Sequence, residues 1–150
     1  MFRTIVVGID GSPTASLALE KAASMAKSFG ARLHLVSAFK DASILASVAA
    51  DPLAGGLVAG VVALEPELRQ PVEALLEKSA GNIDETIQVE THAVAGEPSD
   101  VILDVAEAVK ADLIIVGNRG MRGGKRLLLG SVPNRVAHHA SCDVLIVHTS

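Results

Sequence analysis

Residues 111–150 read ADLIIVGNRGMRGGKRLLLGSVPNRVAHHASCDVLIVHTS, and this stretch decides how the rest of the chain is read. The apolar run 113–116 (LIIV) has the length and β-branched character of a buried strand. It runs into Gly117. Gly120 follows after two residues and Gly130 after nine more, with Ser131 and a helical stretch, 132–140, directly behind. The spacing is G-x2-G-x9-G-S. A strand that ends in glycines, followed by a glycine that opens a helix, suits an anion. Glycine lets the backbone approach the ligand, and the unpaired N–H groups and dipole of the helix start favour negative charge. Four basic residues, Arg119, Arg122, Lys125 and Arg126, lie between Gly117 and Gly130 with no acid among them. A basic surface cluster mostly faces water, so one or two of these cations at most are expected on a ligand.

Two familiar phosphate motifs are excluded. A P-loop needs G-x-x-x-x-G-K followed by Ser or Thr. The segment from Gly120 to Lys125 is one residue short, and Arg126 replaces the hydroxyl that would hold magnesium. The dinucleotide pattern G-x-G-x-x-G is not matched either.

Upstream, the chain alternates strands with helices. Residues 4–9 form a short β-branched run that ends at Asp10-Gly11. Ser12 suits an N-cap and Pro13 the first helical position. Ala15, Leu19, Ala22, Ala26 and Phe29 then recur at helical spacing up to Gly30, a C-terminal cap. A second strand covers 33–39. Strand, helix, strand implies parallel pairing through a right-handed crossover. A second helix is expected over 67–80, with Leu68, Val72, Leu75 and Leu76 on one face. Residues 86–94 alternate as a strand with one wetter face, at a sheet edge. Gly96-Glu97-Pro98 breaks the chain and opens a third helix that buries Val101, Ile102, Val105 and Val109. A last strand covers 144–148. Five parallel strands with alternating helices follow, as one domain over residues 1–150, without internal repeats.

Asp10 is the second residue of interest. It stands at the carboxyl end of the first strand, where open parallel sheets bind ligands. Its carboxylate can accept hydrogen bonds from ribose hydroxyls, or it can simply shape the turn into the helix.

The motif G-x2-G-x9-G-S resembles the nucleotide motif of the universal stress protein family, in the branch that carries the motif complete. The resemblance extends to IVVGIDGSPTA, ADLIIVGNRG and VLIVH, and weakens only in the middle of the chain. It implies an open, Rossmann-like α/β fold with helices on both faces and strand order 3-2-1-4-5. Strands 1 and 4 are then neighbours, and Asp10 and the Gly117 loop share one crevice at the switch point. It also implies an adenine-nucleotide site. Gly8, Ile9, Asp10 and Ala38 fall on its adenine and ribose side. Gly117, Asn118, Arg119 and Gly120 fall beneath the ribose and first phosphate, and Gly130, Ser131 and Val132 at the phosphates. The ligand is ATP, with Mg2+ as its companion, or cyclic AMP. The sequence departs from the family pattern at Pro133, which removes a backbone donor, weakens the case for a triphosphate held by many donors and leaves room for fewer phosphates. Asp143 stands where many members have proline, and no function attaches to it. The resemblance implies a homodimer through the last strand, where Val144, Leu145, Ile146 and Val147 would leave an apolar edge.

Composition bounds the alternatives. The 150 residues are 49% hydrophobic and 20% charged, with no Trp or Tyr, which suits an aliphatic core and parallel strands. The formal net charge of −4 argues against nucleic-acid binding. The lone Cys142 fits a reducing, cytoplasmic setting, and no secretory signal is visible. Residues 43–64 are nearly uncharged and as long as a membrane span. Asp51-Pro52 and Gly55-Gly56 interrupt them, so a membrane role is disfavoured. A lid, a self-association surface and a variable insertion on the sheet edge remain open.

No catalytic set is evident. Asp10 is the one carboxylate in the expected site. His138 and His139 are adjacent on a helix and point about 100° apart. His92 reads as a surface residue, since no Cys, His or acid stands at metal spacing around it. The leading reading is a non-catalytic nucleotide-binding protein of stress response or signalling. A slow ATPase or phosphoryl-transfer enzyme in the same fold is the second. A dimeric interaction module with an empty pocket is the third.

Overall fold

The computed structural model describes residues 1–42, 64–120 and 128–148. The chain runs β1 (Thr4–Gly8), α1 (Pro13–Phe29), β2 (Arg32–Phe39), α2 (Glu65–Gly81), β3 (Val89–Ala95), α3 (Pro98–Ala108), β4 (Leu113–Gly117), α4 (Ser131–His139) and β5 (Asp143–Val147). The strands form one parallel sheet in the order β3-β2-β1-β4-β5, as expected. Ile5 pairs with Leu33 on one side and Leu113 on the other, so β1 is central and buried on both faces.

The period of two along each strand divides the core. Ile5, Val7, Leu33 and Leu35 face α1 and α2, where they meet Ala18, Ala22, Ala26 and Leu76. Val6, Val36, Ile114 and Val116 face α3 and α4, where they meet Val101, Ile102, Val105 and Val136. The alanine stripe lets α1 lie close to the sheet. Among the described residues, no helix is long and apolar enough to cross a membrane.

The punctuation of α1 follows the sequence. Ser12 Oγ accepts a hydrogen bond from the Ala15 N–H at 3.1 Å, Pro13 is the first helical residue, and Gly30 closes the helix at φ 64°. Phe29, expected on the buried face, is instead exposed and meets Phe2 edge to face at 5.5 Å. It stands past the last alanine of the stripe, at the amino ends of the strands.

The third strand begins later than the alternation of 86–94 suggests. Asp84 Oδ1 accepts hydrogen bonds from the Thr86 N–H and the Thr86 hydroxyl, and the Ile87 N–H donates to the Asp84 carbonyl. This side-chain turn occupies the backbone groups a ladder would need. Ile87 is still buried, from the turn. As expected, β3 is an edge strand, with Glu90 and Thr91 exposed and the other residues half-buried. The expectations for residues 43–64 lie outside the described residues, apart from exposed Leu64 before α2.

Candidate functional site

The carboxyl ends of β1 and β4 lie side by side. There the Asp10 turn and the Gly117 loop face one another across a cavity of about 100 Å³. Gly8, Ile9, Asp10, Ala38, Gly117, Arg119, Gly120 and Val132 line it. These are eight of the eleven residues singled out in the sequence.

Close approach explains the glycines. A Cβ on Gly117 would lie 2.4 Å from Thr14 Cγ2 and 3.2 Å from the Thr14 carbonyl carbon, so this position is set by the passage of α1. A Cβ on Gly120 would lie 2.9 Å from Asp10 Oδ2. The second glycine thus brings the loop backbone against the carboxylate. A Cβ on Gly8 would lie 2.9 Å from Ile102 Cδ1, the far end of a side chain that can shift.

Asp10 stands at both the turn and the cavity. Its Oδ1 accepts the Ser12 N–H at 2.9 Å and so holds the turn into α1. Its Oδ2 faces Gly120 at the cavity, and the residue is exposed to solvent. One oxygen is structural and the other is available to a ligand hydroxyl.

The remaining three residues stand behind or beside the cavity. Asn118 is buried at 5% exposure; its N–H donates to the Val147 carbonyl and its carbonyl accepts the Gly130 N–H. It therefore tethers the Gly130 loop to the top of β4 and does not line the cavity. Gly130 is the N-cap of α4, without a side chain to cap it. Ser131, exposed, is the first residue of that helix. Helix geometry leaves the N–H groups of Ser131 and Val132 without an intrahelical acceptor. Pro133 follows, buried and at the cavity wall, and contributes no donor. Arg122, Lys125 and Arg126 lie outside the described residues.

Other lining residues were not singled out in advance. Val36 and Ser37 come from β2, and Pro98 and Ile102 from α3. Gly96-Glu97-Pro98, a chain break at the carboxyl end of β3, starts α3 beside the cavity. A larger cavity of about 410 Å³ lies between α2 and β3, lined by Arg69, Glu73, Glu77 and Thr91 among others. None of the motif glycines lines it, nor does Asp10. The smaller cavity is therefore the candidate.

His92 departs from expectation. Its Nε2 lies 2.9 Å from Nδ1 of His34, which is buried at 3% exposure. The sheet supplies a neighbour that sequence spacing did not. His138 and His139 are exposed, and His138 Nδ1 meets the Asn134 carbonyl at 2.8 Å.

The chain and its fold are similar to known proteins. The profile of the Universal stress protein family matches residues 1–148. Universal stress protein Rv1636 of Mycobacterium tuberculosis is 36% identical, with 99% of this chain and 98% of the relative covered. Universal stress protein YxiE of Bacillus subtilis is 34% identical, with 98% and 99% covered. A solved universal stress protein in complex with cAMP is 32% identical, with a TM-score of 0.72, covering 99% of this chain and 98% of that one. The hypothetical protein MJ0577 shares the fold at a TM-score of 0.85 and 23% identity, over 100% and 98% of the two chains.

Proposed function

The chain belongs to the universal stress protein family, and from that premise we propose that its cavity binds an adenine nucleotide and that the protein acts in stress response or signalling without turnover. The observation that carries this reading is the meeting of Asp10 Oδ2 with the Gly120 backbone at the joined ends of β1 and β4. A carboxylate to accept ribose hydroxyls and a glycine loop to pass beneath the sugar are what the ligand requires. Ile9, Ala38 and Val132 give the base apolar walls. The N–H groups of Ser131 and Val132 face the phosphate end.

Within this reading, cyclic AMP is favoured over ATP. Pro133 withholds the third donor of the first helical turn, which suits one phosphate better than three. A relative of 32% identity is solved in complex with cAMP, which supports cyclic AMP as a ligand. Mg2+ belongs to the ATP alternative alone. Competition of unlabelled cyclic AMP, AMP and ATP against a fluorescent cyclic AMP analogue tests the order. Displacement by cyclic AMP at the lowest concentration supports it, and displacement by ATP first reverses it.

The cytoplasm and a homodimer through β5 complete the proposal. In β5, Val144, Leu145 and Ile146 are half-buried on an edge strand that has β4 on one side alone. A second copy of β5 would satisfy the open edge.

A further inference from the structure

At the other end of β2, four residues before Ala38 and so about 13 Å along the strand, the sheet brings three potential metal ligands together. The register sets His34 opposite Glu90 and Val36 opposite His92. Side chains alternate, so His34, Glu90 and His92 share one face of the sheet. His34 Nδ1 and His92 Nε2 are 2.9 Å apart, and His34 Nδ1 is 3.8 Å from Glu90 Oε2. One donor atom from each residue lies within 4.8 Å of the others, the one such cluster among the described residues.

We propose that His34, Glu90 and His92 form a binding site for a divalent first-row transition-metal ion, and that zinc is the ion this donor set suits. Two imidazoles and one carboxylate are a three-ligand zinc set that leaves a further position for water. Two nitrogens each about 2.0–2.1 Å from one ion in a tetrahedral shell stand roughly 3.3–3.4 Å apart. The two imidazoles would part by about half an ångström to admit the ion. Calcium and magnesium prefer all-oxygen shells and are excluded by the two nitrogens.

The setting fits as well. His34 is buried on a central-side strand and is held in place before any ion arrives. Glu90 is exposed and His92 half-buried, which gives an ion a path from solvent. The bound ion would clamp the edge strand β3 onto β2. The site is separate from the nucleotide cavity and does not depend on it.

The experiment uses the full chain, stripped of metal with a chelator and of nucleotide, and titrated with zinc against a chromophoric chelator. Cobalt uptake, followed by its visible absorption, reports nitrogen ligation independently. The expected result is one saturable zinc per chain, with affinity lowered about tenfold or more in His92→Ala and the cobalt band lost. Glu90→Gln, at an exposed position, keeps the test valid should His92→Ala fail to fold; it is expected to weaken zinc binding and shift the cobalt band. Absence of saturable uptake by the folded wild type overturns the proposal, and the imidazole pair is then a hydrogen bond only. Uptake unchanged in both variants overturns it too, since the ion then sits elsewhere.

Discussion

Asp10 and Gly120 define the account at the scale of the residue. Asp10 Oδ1 is committed to the Ser12 N–H, while Oδ2 faces the cavity. Asp10→Asn keeps an acceptor for the turn but removes the charge. It is expected to weaken nucleotide binding about tenfold or more, the size of a lost charge-assisted hydrogen bond, with little change in thermal stability. Asp10→Ala removes both and is expected to lower the melting temperature as well. Calorimetric binding and melting curves separate the two effects. Gly120→Val is the sharper probe. Gly120 is exposed, and its added side chain would meet Asp10 Oδ2 and not the core. Binding should fall while the fold persists. Gly117→Val would not discriminate, because Thr14 of α1 blocks it.

The sequence revealed Asp10 and the glycines because their spacing is local. The strand-ending glycine, the N-cap Ser12 and the αL cap Gly30 all act within a few residues, and their chemistry can be read along the chain. The pairing of His34 with His92 cannot. These residues are 58 positions apart and meet only through the β2–β3 register. Pro98 and Ile102 reach the cavity for the same reason: their helix is placed by packing on the sheet, not by a motif. Asn118 is placed by its backbone rather than by its motif alone. Its motif position is right, but its backbone is engaged in joining the Gly130 loop to β5, and its side chain is buried.

Among the elements, two junctions carry testable energetics. Asp112 precedes β4, and its Oδ2 accepts the N–H groups of Arg3 at 2.7 Å and Thr4 at 2.9 Å. It thus fastens the start of β1 to the start of β4. These hydrogen bonds, with smaller help from the Arg3 charge, hold the carboxyl below the usual aspartate range. A depressed folded-state value means the contribution is present above the unfolded pKa of about 3.9 and is lost as pH falls through the folded value. Asp112→Ala should therefore cost about 1 kcal/mol at neutral pH, discounted from the charged-pair figure because the residue is exposed. The gap to wild type should close below about pH 4. Urea unfolding across pH checks both statements. At the end of α3, Lys110 is the one described non-glycine residue with positive φ, at 55°. A left-handed conformation costs an L-residue about 1–2 kcal/mol, and glycine's greater unfolded-state freedom offsets part of the relief. Lys110→Gly is expected to gain up to about 1 kcal/mol in the same assay; a loss would show that the Lys110 side chain contributes more than the strain costs.

Across the whole molecule, the strand order joins the two ends of the chain into one site. Asp10 comes from the first strand and the glycine motif from the fourth, more than a hundred residues later, yet β1 and β4 are hydrogen-bonded neighbours. The order was legible because strand–helix alternation and the family resemblance leave few topologies. The start of β3 was not, because the Asp84 turn competes for the same backbone groups. The open edge of β5 predicts self-association. Light scattering should give the mass of a dimer, and Leu145→Glu on that edge should shift it to monomer. A monomer at all concentrations would remove the dimer from the account. The central claim is nucleotide binding at the Asp10–Gly120 crevice. Its most direct test is calorimetric titration of nucleotide-free protein with cyclic AMP and with ATP, beside Gly120→Val. The account predicts saturable binding by wild type, tighter for cyclic AMP, and lost in the folded variant. No binding to either nucleotide, or equal binding by Gly120→Val, would contradict it.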